Sequence, residues 1–370
     1  MKYYIIVGEA SGDLHGSNLM KEIRKEDVNA EFRFWGGDLM LAQGGQIAKH
    51  YRDLAFMGFW EVITNLGTIL GNIKFCKKDI ARYKPDCVIF IDYPGFNLRI
   101  CKFVKKLGIK TFYYISPQLW AWKSGRVKTV QKYVDKMFVI LPFEKDFYAK
   151  YNYPVDFVGH PLLDALNDLP EVNEKQFRKE HNLSDKPVIA LLPGSRKQEI
   201  NKMLVEMLSV EKDFPDYEFV IAGAPSIETE FYRPFLNPHV KIVSNRTYNL
   251  LRISQAALVT SGTATLETAL LDVPEVVCYK GSRISYEIAK RLIKHIQYIS
   301  LVNLIMDQRV VTELIQNDLN YKNLKAELVK ILNPEYVEKL KQEYKKLRRK
   351  LGDSGTSEKT AKLIIRDVKR

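Results

Sequence analysis

A chain of 370 residues, 46% hydrophobic and 27% charged, has enough apolar side chains for more than one core, which excludes a single small module and wholesale disorder. Its 57 Lys and Arg against 44 Asp and Glu leave a formal charge of +13, favouring anionic partners: nucleic acid, phospholipid head groups or phosphorylated substrates. The four cysteines, Cys76, Cys87, Cys101 and Cys278, lie far apart with no Cys-x-x-Cys pair, as buried free thiols in a reducing compartment do.

The apolar run at residues 3–7 is too short for the core of an export signal, and Glu9 follows at once. No stretch approaches the ~18 apolar residues of a membrane span, so any membrane contact is expected to be peripheral. Strands are predicted at 3–7, 31–35, 87–91, 111–115, 136–140 and 155–158, alternating with helices at 14–26, 59–83, 97–107, 124–134 and 143–150. That alternation predicts a parallel sheet with helices on both faces. The polar segment from Asp164 to Lys186 marks a boundary, after which the rhythm restarts with strands at 188–192, 218–222, 241–243, 257–259 and 276–279. Two tandem α/β domains are expected, 1–165 and 166–345, with a helical tail at 346–370.

Ligands of open α/β sheets bind at the carboxyl ends of strands, so the residues after each strand carry the functional signal. After the first strand comes Gly-Glu-Ala-Ser-Gly-Asp, 8–13, a turn entering a helix. Its backbone N–H groups near Ser11 and Gly12 could hold an anion or sugar hydroxyls, or the turn could be purely structural. Two carboxylates in so short a loop, Glu9 and Asp13, favour function, because charged side chains there are expected to have no packing role. The helix predicted at 59–83 begins with apolar residues on more than one face: Met57, Phe59, Trp60, Ile63, Leu66, Ile69 and Leu70, followed by Lys74, Lys77 and Lys78. A core helix is the default; a helix dipping into an anionic leaflet or binding acyl chains shows the same pattern. The strand at 87–91 leads directly into Asp92, which reads either as a turn aspartate before Pro94-Gly95 or as a general base whose pKa is raised by partial burial. The next strand ends in Ser116, Trp120 and Trp122, suited to stacking on a sugar, lining an acyl groove or forming a buried loop.

In the second half, Leu-Leu-Pro-Gly-Ser-Arg at 191–196 and Ser-Gly-Thr-Ala-Thr-Leu-Glu at 261–267 each precede a helix. Ser261, Gly262 and Thr263, together with the fixed charge of Arg196, could cradle a diphosphate, and Glu267 could accept from ribose hydroxyls. In the tail, Leu340, Tyr344, Leu347 and Leu351 form an apolar seam among lysines and arginines, expected to dock on the body, with membrane or nucleic-acid binding as the other use of such a helix. No two aspartates stand two residues apart and no His-x-x-x-His occurs, so no metal or other cofactor is expected, and no Gly-x-Ser-x-Gly elbow points to a hydrolase.

Taken in order, these motifs resemble those of the lipid-A-disaccharide synthase family, bacterial glycosyltransferases of GT-B fold: GEASGD at 8–13, IDYPGFN at 91–97, ISPQLWAW at 115–122, LPFEKDFY at 141–148, VGHPLLD at 158–164, LLPGSR at 191–196, SGTATLE at 261–267 and YISLVNL at 298–304. The resemblance spans nearly the whole chain. It implies two Rossmann-like domains whose parallel sheets face an interdomain cleft, with the C-terminal helix packing back on the N-terminal domain. It implies transfer of 2,3-diacylglucosamine from UDP to the 6-hydroxyl of 2,3-diacylglucosamine 1-phosphate, with inversion, giving a β-1,6 disaccharide and UDP. Asp92 inherits the role of base, with Glu9, Ser11 and Asp13 on the acceptor side. Arg196, Ser261, Gly262, Thr263, Glu267 and Asn303 fall around UDP. The partners implied are the two acylated sugars and the anionic cytoplasmic face of the inner membrane, with no nucleic acid, the chain acting as monomer or homodimer.

The sequence departs from the family at Val302, where proline is usual before the matching asparagine, and at Met306-Asp307-Gln308, so the donor loop is less securely matched than Asp92. Two other readings compete: a UDP-N-acetylglucosamine 2-epimerase of the same architecture, and a non-catalytic basic protein that binds membranes or RNA.

Overall fold

The computed structural model of the chain describes residues 1–54, 66–121, 124–281 and 297–370. It forms two compact units, Met1–Asp168 with Leu351–Arg370, and Leu169–Lys350.

The first unit is built on seven parallel strands, β1 (Lys2–Ile6), β2 (Glu31–Gly36), β3 (Gln46–His50), β4 (Cys87–Ile91), β5 (Lys110–Tyr114), β6 (Lys136–Val139) and β7 (Asp156–Phe157), in the order β3-β2-β1-β4-β5-β6-β7. All five residues of β4 are buried, as a central strand covered by helices on both faces requires. Alternate side chains feed two cores: Tyr4, Ile6, Val88 and Phe90 on one face of the sheet, Tyr3, Ile5, Ile89 and Ile91 on the other. The register sets Ile6 beside Phe90, so β1 and β4 end level, at the point where the strand order reverses.

The expected return of the C-terminal helix to the N-terminal domain is present. Helix Thr356–Val368 packs on helix α1 (Ala10–Glu26), and its Ala361, Ile364 and Ile365 join the core around Tyr3 and Ile5. Asp164 anchors its start by accepting from the backbone N–H of Gly355 and, at 3.0 Å, of Thr356.

The second unit carries six parallel strands, β8 (Val188–Leu192), β9 (Glu218–Gly223), β10 (Val240–Ser244), β11 (Ser254–Thr260), β12 (Glu275–Tyr279) and β13 (Thr312–Ile315), in the order β10-β9-β8-β11-β12-β13. Here the order reverses between β8 and β11. Leu340, Tyr344, Leu347 and Leu351 of helix Pro334–Leu351 are buried while Lys345, Lys346, Arg349 and Lys350 stay exposed, so the seam docks as expected. The four cysteines are free and buried.

Candidate active site

The turn after β4 is held in a conformation that few side chains adopt. Asp92 and Tyr93 have φ of 43° and 47°, and Ile115, after the neighbouring β5, has 63°, a rare value for a β-branched residue. Polar bonds fix the strain in place: the Asp92 carbonyl accepts from Asn97 Nδ2 at 2.7 Å and from the Tyr113 hydroxyl, and its N–H donates to the Tyr114 carbonyl at 3.2 Å. Tyr93, not Asp92, occupies the N-cap of helix Pro94–Lys106, which leaves the Asp92 carboxyl outside the capping role a turn aspartate would take. The Tyr93 ring lies against Gly8, where a Cβ would come within 2.3 Å of it, so the turn after β1 and the turn after β4 meet. Burial, and then the charge of Glu9, push the Asp92 carboxyl up to about 6, against the pull of the Tyr93 backbone N–H. Glu9 and Ser11 are exposed, the Ser11 hydroxyl donating to Glu9 Oε1 at 2.9 Å.

Asp92 lines a cavity of about 530 Å³ with Ser116, Gln118, Arg126 and Glu144. Glu144 is buried in the first turn of helix Phe143–Ala149 and accepts from the Leu141 N–H at 3.0 Å. Burial raises its carboxyl to about 8, with the Leu141 N–H and the Ser116 hydroxyl opposing, so it keeps its proton at neutral pH. The Ser116 hydroxyl lies 2.8 Å from that of Tyr148. Trp120 packs edge-on against Phe143 at 4.9 Å and is not in the cavity wall; Trp122 lies outside the described residues.

The expectation that carboxylates of the first turn have no packing role fails for Asp13. Its buried side chain accepts from the backbone N–H groups of Gly37 at 2.7 Å, Leu39 at 3.0 Å and Met40 at 3.1 Å, tying α1 to the start of helix α2 (Asp38–Ala42). Both oxygens are thus engaged by main chain, which removes Asp13 from proton transfer. Gly12 is buried too, where a Cβ would stand 2.8 Å from the Val7 Cβ, so it serves close packing of helix on strand. Among the apolar residues expected at a membrane, Met57, Phe59, Trp60 and Ile63 lie outside the described residues, and so does the side chain of Leu66. In helix Leu66–Tyr83, Ile69 packs against the core of the first unit instead of facing outward, and Leu70 is exposed.

In the second unit a cavity of about 340 Å³ opens at the carboxyl ends of β8, β9 and β11, lined in part by Ser195, Thr247, Ser261, Gly262, Thr263 and Glu267. Burial pushes the Glu267 carboxyl up to about 7, opposed by the Thr263 hydroxyl. Ser261 Oγ donates to the Ile299 carbonyl at 2.8 Å. Arg196, expected to face a diphosphate, is not in the cavity wall; its exposed guanidinium donates to Glu199 Oε1 at 3.1 Å. An exposed pair of this kind is worth about 0–1 kcal/mol, so an arriving anion can displace it. Asn303, expected around UDP, is fully buried, donating to the Val311 carbonyl and Glu313 Oε1, both at 2.9 Å, and accepting from the N–H groups of Val310 and Val311. Its amide is committed to the fold, which overturns its assignment as a ligand contact.

Sequence reasoning passed over Glu144 and Arg126. The signal was there: Glu144 stands in the first turn of the helix that follows β6, past a short connection, so the rule about strand ends reaches it as well as Asp92, which follows β4 at once.

Comparison with known proteins brings in the family. A family model described as lipid-A-disaccharide synthetase matches residues 3–366. A lipid-A-disaccharide synthase of Coxiella burnetii is 39% identical over 89% of this chain and 88% of its own, and one of Geobacter metallireducens 37% identical over 98% and 96%. Among solved structures, the UDP-GlcNAc 2-epimerase of Neisseria meningitidis bound to UDP-GlcNAc superposes with a TM-score of 0.65 at 15% identity, covering 100% of this chain and 99% of its own. The glycotransferase of kitacinnamycin gives 0.66 at 12%, covering 99% of each chain. At such identities these likenesses speak for the two-domain GT-B fold alone.

Proposed function

The chain belongs to the lipid-A-disaccharide synthase family of glycosyltransferases, and from that premise we propose that it joins a 2,3-diacylglucosamine unit, carried on UDP, to the 6-hydroxyl of 2,3-diacylglucosamine 1-phosphate. In this scheme the acceptor oxygen attacks the anomeric carbon from the face opposite UDP. Asp92 takes the hydroxyl proton, and the bond from that carbon to the pyrophosphate oxygen breaks with its electron pair leaving on UDP. The product is the inverted, β-1,6-linked disaccharide 1-phosphate. No metal or other cofactor takes part in it; the leaving charge is met by Arg196 and by the N-terminal turns of helices Lys197–Met207 and Thr263–Leu270. Glu267 is assigned to the ribose.

The observation that carries the reading is Asp92 itself, in the cavity wall at the end of β4, with a carboxyl pushed to about 6. A base of that strength is mostly ionised at neutral pH, yet accepts a proton more readily than an ordinary aspartate. Asp92→Asn, assayed for UDP release with both acylated sugars, should lose about 10²–10⁴-fold in turnover while UDP affinity persists. Normal turnover in that variant removes Asp92 from the mechanism. Conversion of UDP-N-acetylglucosamine with no acceptor present speaks for an epimerase instead. Both substrates carry acyl chains, so the proposal includes a seat on the anionic cytoplasmic face of a membrane.

A further inference from the structure

The wall of the Asp92 cavity contains one permanent cation among the described residues. Arg126 closes the turn Ser124–Arg126 and is half-buried, and among the described residues its guanidinium takes part in no hydrogen bond or ion pair. The two carboxyls in the same wall do not neutralise it. Asp92 is shifted by burial, Glu9 and the Tyr93 N–H, with no contribution from Arg126, and Glu144 keeps its proton and so brings no anion. Half-burying a guanidinium without a partner costs free energy that an anionic ligand would recover. The cavity, about 530 Å³, falls in the range of small-molecule sites.

We propose that Arg126 holds the phosphate monoester of the acceptor sugar, making it the residue that distinguishes phosphorylated from unphosphorylated acceptors. The inference rests on the reading above, that this cavity takes the acceptor. A guanidinium meets a phosphate through two parallel N–H···O bonds, so it orients as well as attracts. Fixing the phosphate at one part of the wall limits which sugar hydroxyl reaches Asp92. The donor's diphosphate offers the same chemistry, and the test separates the two.

The experiment compares kcat/KM for diacylglucosamine 1-phosphate and for diacylglucosamine lacking the phosphate, in the full-length wild type, Arg126→Ala and Arg126→Lys, alongside UDP affinity. The wild type should favour the phosphorylated acceptor by about tenfold to a hundredfold, the worth of a charge-assisted contact. In Arg126→Ala the two acceptors should become nearly equivalent, the loss appearing in KM for the phosphorylated one. Arg126→Lys should fall between, and it carries the same comparison if the alanine variant does not fold. A wild type indifferent to the phosphate, a variant that keeps the full preference, or one that loses UDP affinity instead would each overturn the proposal. Should the wild type transfer no sugar at all, the transferase reading fails, and calorimetric titration with glucosamine 1-phosphate and glucosamine still decides for Arg126. Preference for the phosphate that vanishes in Arg126→Ala sustains the inference, and equal binding ends it.

Discussion

At Asp92, burial and charge act in the same direction. Desolvation disfavours the carboxylate, and Glu9, at the end of the adjacent strand, disfavours it further, bringing the group to about 6. If Asp92 must be ionised to accept the hydroxyl proton, activity rises with pH through that value and levels off above it. Glu9→Gln removes a nearby negative charge and so lowers the Asp92 pKa. The acidic limb of the pH–rate profile should therefore move to lower pH, by roughly half a unit to one unit, since a charge across a partly exposed turn is worth about 1 kcal/mol. A limb that stays in place would mean that the essential base is not the carboxyl Glu9 faces. The same reasoning leaves Glu144 protonated near neutral pH, because burial pushes its carboxyl up to about 8, whereas Asp92 is mostly ionised there.

Asp13 belongs to the scale of elements, because it joins two of them. Its carboxylate serves the N–H groups of Gly37, Leu39 and Met40, which helix α2 leaves open at its start. Asp13→Ala strands buried donors and should cost about 2 kcal/mol or more in chemical denaturation, while folded enzyme keeps a kcat within a few-fold of wild type. Unchanged stability with a hundredfold fall in kcat would restore Asp13 to the catalytic set. Sequence pattern exposes strands well where they are buried on both faces: the reading of 87–91 and 188–192 matches β4 and β8 residue for residue, since an unbroken apolar run between turns has few other uses. It missed β3 and β13, both edge strands, whose QIAKH and TELI mix polar with apolar residues because one side of the ladder has no neighbour. The added strand β3 makes the strand before Asp92 fourth in the chain. At the carboxyl ends of each sheet, the turns after β1 and β4 in the first unit and after β8 and β11 in the second were legible from the rule of strand ends. The engagement of Asp13 by the backbone of residues 37–40, and of Asn303 by residues 310–313, was not, because a polar side chain looks the same in sequence whether it meets a ligand or another part of the chain.

For the molecule as a whole, the charge of +13 becomes useful only where apolar and basic groups share a face. Among the described residues no helix is long and apolar enough to cross a membrane, and the proposed seat at the membrane is assigned to a surface. Helix Leu66–Tyr83 offers one: Leu70, Lys74 and Lys78, spaced by one turn, are exposed on one side with Phe75 beside them, whereas Ile69 and Ile73 turn inward. Lys77 is engaged differently, its ammonium 5.6 Å from the centre of the Phe103 ring, which leaves Lys74 and Lys78 as the charges free to meet lipid head groups. Each basic residue near an anionic surface contributes about 1 kcal/mol, so Lys74→Gln with Lys78→Gln should weaken cosedimentation with phosphatidylglycerol vesicles by about 30-fold at low salt. Raising the ionic strength toward 1 M, where the screening length falls to about 3 Å, should bring wild type and variant together. Leu70→Gln acts on the apolar part alone, so its loss of binding should persist at high salt. Vesicle binding that ignores both the lysines and the salt would place the contact elsewhere on the chain and leave this helix face with no part in it.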